Sequence, residues 1–176
     1  MSKAVLISIQ PKWCELIASG KKTVEVRKTK PKLETPFKCY IYETKDSKYK
    51  DIGVAGHRSD GTPYIFVNSI GKVIGEFVCD SIDDFSVPYP AYFSEVDSKT
   101  EAIIKSACLT PMDIHAYNGV HQTFGWRISD LVIYDKPREL QDFTRIVVKW
   151  WLTRERVTRP PQSWCYVEEV SNERAN

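Results

Sequence analysis

Between Gly20 and Arg27 the chain reads Gly-Lys-Lys-Thr-Val-Glu-Val-Arg, which sets an amine, a carboxylate and a guanidinium close together at Lys22, Glu25 and Arg27. Each group has a use in a binding or catalytic site. Arg27 can grip a phosphate or the edge of a base, Glu25 can accept protons from an amide or exocyclic amine, and Lys22 can bind anionic oxygen or act as a base. Spacing alone favours a second reading: an amphipathic strand whose charged side is solvated.

The elements around this segment follow from its periodicity. Val5, Ile7 and Ile9 alternate with Leu6, Ser8 and Gln10, which predicts a strand with one apolar face and one that turns polar toward its end. Pro11 suits a first helical turn, Trp13, Leu16 and Ile17 follow at helical spacing, and Gly20 supplies a left-handed stop, so residues 11–19 should form a short helix. Alternation then resumes, with Val24 and Val26 on one face and Thr23, Glu25 and Arg27 on the other; Lys22 is one step out of register unless a bulge follows Gly20. Ser8, Gln10 and Lys12 fall beside the motif as cleft residues, with ordinary helix capping as the alternative use.

Further strands are expected at Phe37–Glu43, Lys72–Cys79, Trp126–Tyr134 and Ser163–Val167. Helices are expected over Ser94–Ala107, with a stripe of Ala102, Ile103, Ile104 and Ala107, and after the cap pair Thr110-Pro111, with a helical turn at Pro137–Phe143. The polar segment 44–70 reads as a long hairpin or surface insertion, Asp80–Pro90 as a turn-rich connector, and Trp150-Trp151 as a helical pair beside Lys149 and Arg154. Strands with helices inserted irregularly predict an α+β fold with a small curved sheet or barrel. A doubly wound nucleotide-binding fold is disfavoured, because Pro11 stands where its glycine-rich turn would lie.

At 176 residues the chain fits one domain, and 42% hydrophobic with 27% charged residues argues against disorder and coiled coils. Neither a signal peptide nor a long apolar span is evident, so a cytoplasmic protein with no membrane association is expected. Five dispersed cysteines without a Cys-x-x-Cys pair read as buried apolar residues, and the three histidines lack ligand spacing, so no metal or other cofactor is expected. The net charge of +2 conceals patches. Six positive residues from Lys21 to Lys32 face one acid, whereas Asp80 to Glu101 holds six acids against Lys99. Lys28 and Lys30 are thereby candidates for backbone phosphates, and Trp164 and Tyr166, on one face of the last strand, for stacking on a base or for packing.

Ile7-Ser8-Ile9-Gln10-Pro11-Lys12-Trp13 followed by Gly-x-Lys-Thr-x-Glu-x-Arg resembles the opening of the ASCH (activating signal cointegrator homology) domain, a member of the PUA-like superfamily. Gly71–Phe77, Gly125–Pro137 and Pro160–Trp164 resemble longer bacterial and phage members, so the likeness runs over nearly the whole chain. It implies a mixed β-barrel of about five or six strands with peripheral helices, one domain over 1–176, and a C-terminal extension that closes the barrel. It also implies RNA or a nucleotide-like ligand as partner, bound in a cleft floored by Lys22, Glu25 and Arg27. In the related amidohydrolases that deacylate N4-acetylcytidine, a lysine, a threonine and a distant glutamate are implicated. Lys22 matches the lysine, Glu25 stands where that subgroup has threonine, and Glu95 and Glu101 are the candidates for the glutamate. Two alternatives to a binder follow: a hydrolase acting on a modified nucleoside or RNA with Lys22 and Glu25 as its acid-base pair, Thr23 being the nearest hydroxyl, or a protein-interaction module using 44–68 or 80–101.

Overall fold

A computed structural model describes residues 2–45, 54–57, 61, 63–66, 69–90, 96–148 and 152–170. In chain order the elements are β1 (Lys3–Ile9), α1 (Pro11–Ala18), β2 (Val24–Arg27), β3 (Phe37–Glu43), β4 (Val54–His57), β5 (Pro63–Phe66) and β6 (Val73–Phe85). There follow α2 (Ser98–Ser106), α3 (Pro111–Asn118), β7 (Thr123–Arg138), a 3-10 turn (Leu140–Asp142), β8 (Thr144–Val148), β9 (Leu152–Arg156) and β10 (Trp164–Glu168). The fold is α+β. Eight strands share one sheet in the order β2-β7-β6-β3-β1-β10-β8-β9, and β4 pairs with β5 apart from it. That is more than the five or six strands expected, and the ladder ends on β2 and β9 instead of closing.

The sheet is nevertheless curled. Three register shifts bend the long β6–β7 pair, and bulges of this kind increase local twist. β2 at one edge thereby comes up against β1, which is fifth in the order: the Arg27 guanidinium donates to the Ser8 carbonyl at 2.7 Å. The segment after β2 meets β10 in the same way. The Trp164 indole N–H donates to Thr29 Oγ1 at 3.1 Å, and the Lys32 amide donates to the Tyr166 hydroxyl at 2.7 Å.

Inside the curl lie Val5, Ile7, Ile9, Cys39, Ile41, Phe77 and Trp126, sealed at one end by Cys14 and Ile17 of α1. The opposite face of β1 is also covered, since Leu6, Tyr40, Phe143, Val157 and Val167 form a second cluster. The polar face expected for β1 is therefore buried: Ser8 is 6% exposed and its hydroxyl donates to the Pro161 carbonyl. A third cluster joins Val24 and Val26 of β2 to Ile103, Ile104 and Ile114 of α2 and α3. Both helices are capped as their sequences require. Asp97 accepts from the Thr100 amide, and Thr110 and Asp113 form a reciprocal capping box.

Several expectations change. The buried face of α1 runs through Pro11, Cys14, Ile17 and Ala18, leaving Trp13 and Leu16 half-buried at its margin. Ala102 is exposed. β6 continues to Phe85, so the connector expected from Asp80 is largely strand. The helical pair expected at Trp150-Trp151 lies outside the described residues; on either side of it β8 and β9 pair as antiparallel strands, favoured in β8 by the β-branched Thr144, Ile146, Val147 and Val148. The expected insertion contains β4 and β5; residues 46–53, 58–60, 62 and 67–68 lie outside the described residues. No helix among the described residues is long and apolar enough to cross a membrane.

Candidate functional site

Gly20, at φ 73°, ends α1 by donating its amide to the Ile17 carbonyl, and the Lys22 amide then bonds the Leu16 carbonyl. This left-handed turn delays the strand until Val24, which resolves the register question. Thr23 is exposed, its amide bound to the Ser106 carbonyl and its own carbonyl to the Ile128 amide, whereas Lys22 turns inward with Glu25 and Arg27. Glu25 lies opposite Trp126 in the β2–β7 ladder and so points toward the interior of the curl.

Three charges are buried here. Lys22 is 3% and Glu25 5% exposed, and the Arg27 side chain 11%. Glu25 Oε1 sits 2.9 Å from the Arg27 guanidinium, and Glu25 Oε2 sits 3.4 Å from Lys22 Nζ. The ammonium donates at 2.8 Å to the carbonyl of Ala107, the C-cap of α2, where the helix dipole favours a cation. Two polar atoms are left without hydrogen bonds: Glu25 Oε2 and Arg27 Nε. A buried donor without a hydrogen bond and a carboxylate oxygen held by an ion pair are groups that a ligand carrying an acceptor and a donor would complement.

The walls add aromatic and acidic character. Trp13 lies under two ammonium groups, Lys12 Nζ at 4.5 Å and Lys22 Nζ at 5.1 Å from its ring centroid. Glu43, the last residue of β3, lies beside Ile9 of β1 and is 3% exposed. Burial pushes the Cys14 thiol well above its ordinary pKa, and the nearby Glu43 and Glu25 carboxylates push it further, so Cys14 is an inert wall. Glu43 is the site residue the sequence reading passed over. Its signal was the alternation Phe37, Cys39, Ile41, Glu43, in which an acid continues an inward apolar face.

The remaining candidates are dispersed. Gln10 is exposed at the N-cap of α1 and makes no side-chain cap bond. Ser8 contributes its carbonyl to Arg27 while its hydroxyl holds the 160s segment. Lys28 lies 4.7 Å above the Tyr117 ring, and Lys30 is paired with Asp84 at 3.0 Å and lies over Phe124. Trp164 packs on Trp126 at 6.0 Å and edge-on to Tyr166 at 5.4 Å. Glu101 is paired with Lys105 on α2, away from Lys22, and Glu95 lies outside the described residues. Among the described residues, no group of three His, Cys, Asp or Glu side chains is disposed to hold a metal ion.

Curled sheet, capped helices and the buried Lys-Glu-Arg group together define a class before any relative is considered: a mixed α+β domain with a polar site where a helix-strand turn enters the sheet. The ASCH domain profile matches residues 7–124, and the chain belongs to that family. A crystal structure of ASCH from Zymomonas mobilis is similar at TM-score 0.60 and 19% identity, covering 94% of this chain and 88% of that one. A crystal structure of a serine-to-alanine mutant of the ASCH protein from Zymomonas mobilis is similar at TM-score 0.52 and 18% identity, covering 94% and 89%. No curated protein matches the chain.

Proposed function

We propose that this ASCH protein binds single-stranded RNA or a nucleotide-like ligand, reading one base edge at Glu25 and Arg27. The observation that carries this reading is Arg27 Nε, a buried donor without a hydrogen bond, in the same group as Glu25 Oε2, an acceptor held by its 3.4 Å ion pair with Lys22. A buried polar group without a hydrogen bond costs about 1–3 kcal/mol, so a ligand that accepts from Arg27 Nε recovers that cost. The charge balance favours a base over a phosphate. Lys22 and Arg27 share Glu25 as their carboxylate, and Glu43 is a second carboxylate near the same Cys14 wall, so a free phosphate would meet two carboxylates beside two cations. A heterocycle with adjacent amine and carbonyl or ring nitrogen is neutral and matches donor for acceptor.

Hydrolysis is less well supported. Lys22 Nζ is engaged as a donor to Ala107, and the Thr23 hydroxyl is on an exposed residue across the strand from the site. An acidic docking surface is also less well supported, because Asp83 is paired with Lys99 and Arg127, and Asp84 with Lys30.

Fluorescence anisotropy with a short labelled RNA at two salt concentrations tests the proposal. Binding that Arg27→Gln and Glu25→Gln each weaken supports it. Undiminished binding by both variants, or none by the wild type at low salt, overturns it.

A further inference from the structure

A base carried by RNA reaches the Glu25–Arg27 site with a phosphate attached, and that phosphate is unfavoured within the buried group, where Glu25 and Glu43 supply two carboxylates. A cation beside the group, exposed and without a carboxylate of its own, is needed to meet it. Lys12 is such a cation. Its side chain is exposed in the first turn of α1 and, among the described residues, forms no ion pair. Asp113, the acid whose carboxyl its charge reaches, is committed to the Thr110 cap of α3.

The Trp13 indole joins Lys12 to the site. Its ring centroid lies 4.5 Å from Lys12 Nζ and 5.1 Å from Lys22 Nζ, so the two ammonium groups stand no further apart than these distances together, a span that one nucleotide covers. Lys22 Nζ lies in turn 3.4 Å from Glu25 Oε2, and Glu25 Oε1 lies 2.9 Å from the Arg27 guanidinium. Exposure falls along the same line, from Lys12 at the surface through half-buried Trp13 to Lys22 at 3%. A cation–π contact holds an ammonium without neutralising it, so the Lys12 charge stays available. The other basic candidates differ. Lys30 is paired with Asp84, and Lys28 is turned to Tyr117 of α3, among the elements that cover Val24 and Val26 and not on the face of Glu25 and Arg27.

We infer that Lys12 takes the phosphate of the nucleotide whose base is read at Glu25 and Arg27, with the Trp13 indole as the wall between the two contacts. The unit recognised is then a nucleotide and not a nucleoside. This rests on the base-binding reading of the Glu25–Arg27 site. The two contacts divide the work by chemistry: the buried, charge-paired group carries the hydrogen bonds that read a base, and the exposed ammonium neutralises the phosphate without desolvating a second charge.

The test is anisotropy of a fluorescein-labelled RNA hexamer of mixed sequence, measured across a salt series for the wild type, Lys12→Gln, Lys28→Gln and Glu25→Gln, with thermal melting to show that each is folded. Lys12→Gln should weaken binding by about fivefold and reduce the slope of log K against log salt by about 0.7, the single-strand value for one phosphate contact. Lys28→Gln should change both less, and Glu25→Gln should weaken binding while leaving the slope unchanged. If Glu25→Gln weakens binding but Lys12→Gln changes neither affinity nor slope, or changes them no more than Lys28→Gln does, the Lys12 assignment is overturned and the base site stands. If Glu25→Gln binds as the wild type does, or the wild type does not bind, the base site fails and the inference with it.

Discussion

Arg27 on the edge strand β2 donates a 2.7 Å hydrogen bond to the backbone carbonyl of Ser8 on β1, a strand with which β2 shares no ladder. The same guanidinium holds Glu25 at 2.9 Å. One side chain therefore both draws the curl of the sheet together and forms the rim of the polar site, so changes at Arg27 affect stability and binding together.

Breaking this group should cost more than replacing it. Glu25→Ala leaves two cations buried without their carboxylate and should destabilise by about 3–5 kcal/mol, while the triple replacement Lys22→Met, Glu25→Leu, Arg27→Met should recover most of that loss and abolish binding. Urea denaturation of the single and triple variants, followed by RNA anisotropy on the folded ones, checks both parts.

Alkaline pH should unfold the protein. Burial raises the Cys14 and Cys39 thiols well above their ordinary value, lifts Cys79 to about 12 and, assisted by Glu76 and Glu169, lifts the Tyr40 hydroxyl to about 12. These groups are neutral in the folded protein but ionise near 9 to 10 once unfolded. Their contribution is thus complete below pH 9 and lost as pH rises toward 12. Each thiol should lower the unfolding free energy by roughly 1.4 kcal/mol per pH unit in that window. A denaturation series from pH 7 to 11 should show the decline, and Cys14→Ala should make it shallower.

At acid pH the sign reverses. The Thr110 hydroxyl and amide hold the Asp113 carboxyl below its ordinary range, and the Thr100 hydroxyl and amide do the same for Asp97. These contacts stabilise fully above the ordinary aspartate value of 3.8 and fade as pH falls through the lowered values. Thr110→Ala should cost about 1 kcal/mol at pH 7 and progressively less as Asp113 is protonated, which thermal melting at pH 7 and pH 3 can read.

Tyr166→Phe removes the acceptor of the Lys32 amide and should destabilise by about 1 kcal/mol. The lost contact joins the segment after β2 to β10, so hydrogen exchange should quicken at the Lys32 amide and leave the β6–β7 ladder unchanged.

What the sequence revealed, and what it hid, follows from the range of the forces involved. Gly20, Pro11 and Thr110 act through local geometry, and both ends of α1 and the start of α3 were legible from them, whereas α2 starts at Ser98 behind the Asp97 cap and not at Ser94 as expected. The Lys22–Glu25–Arg27 group was legible as chemistry but not as geometry, because alternation assigns Thr23 to its face and only the turn after Gly20 exchanges Thr23 for Lys22. The second buried face of β1 was hidden, since its cover, Phe143 and Val157, lies far along the chain. Strands β8 and β9 were not assigned from the sequence, although the β-branched Thr144, Ile146, Val147 and Val148 carried a strand signal. Glu43 needed only the alternation rule already applied to its strand, carried one residue further.

The most direct test follows the orphaned donor itself. Arginine Nε–Hε resonances, assigned through Arg27→Lys, can be recorded by NMR while an RNA hexamer is titrated. The account predicts that the Arg27 Hε signal moves downfield on the same isotherm that anisotropy gives, and that Glu25→Gln reduces the shift. An RNA that binds while the Arg27 signal stays in place would contradict it.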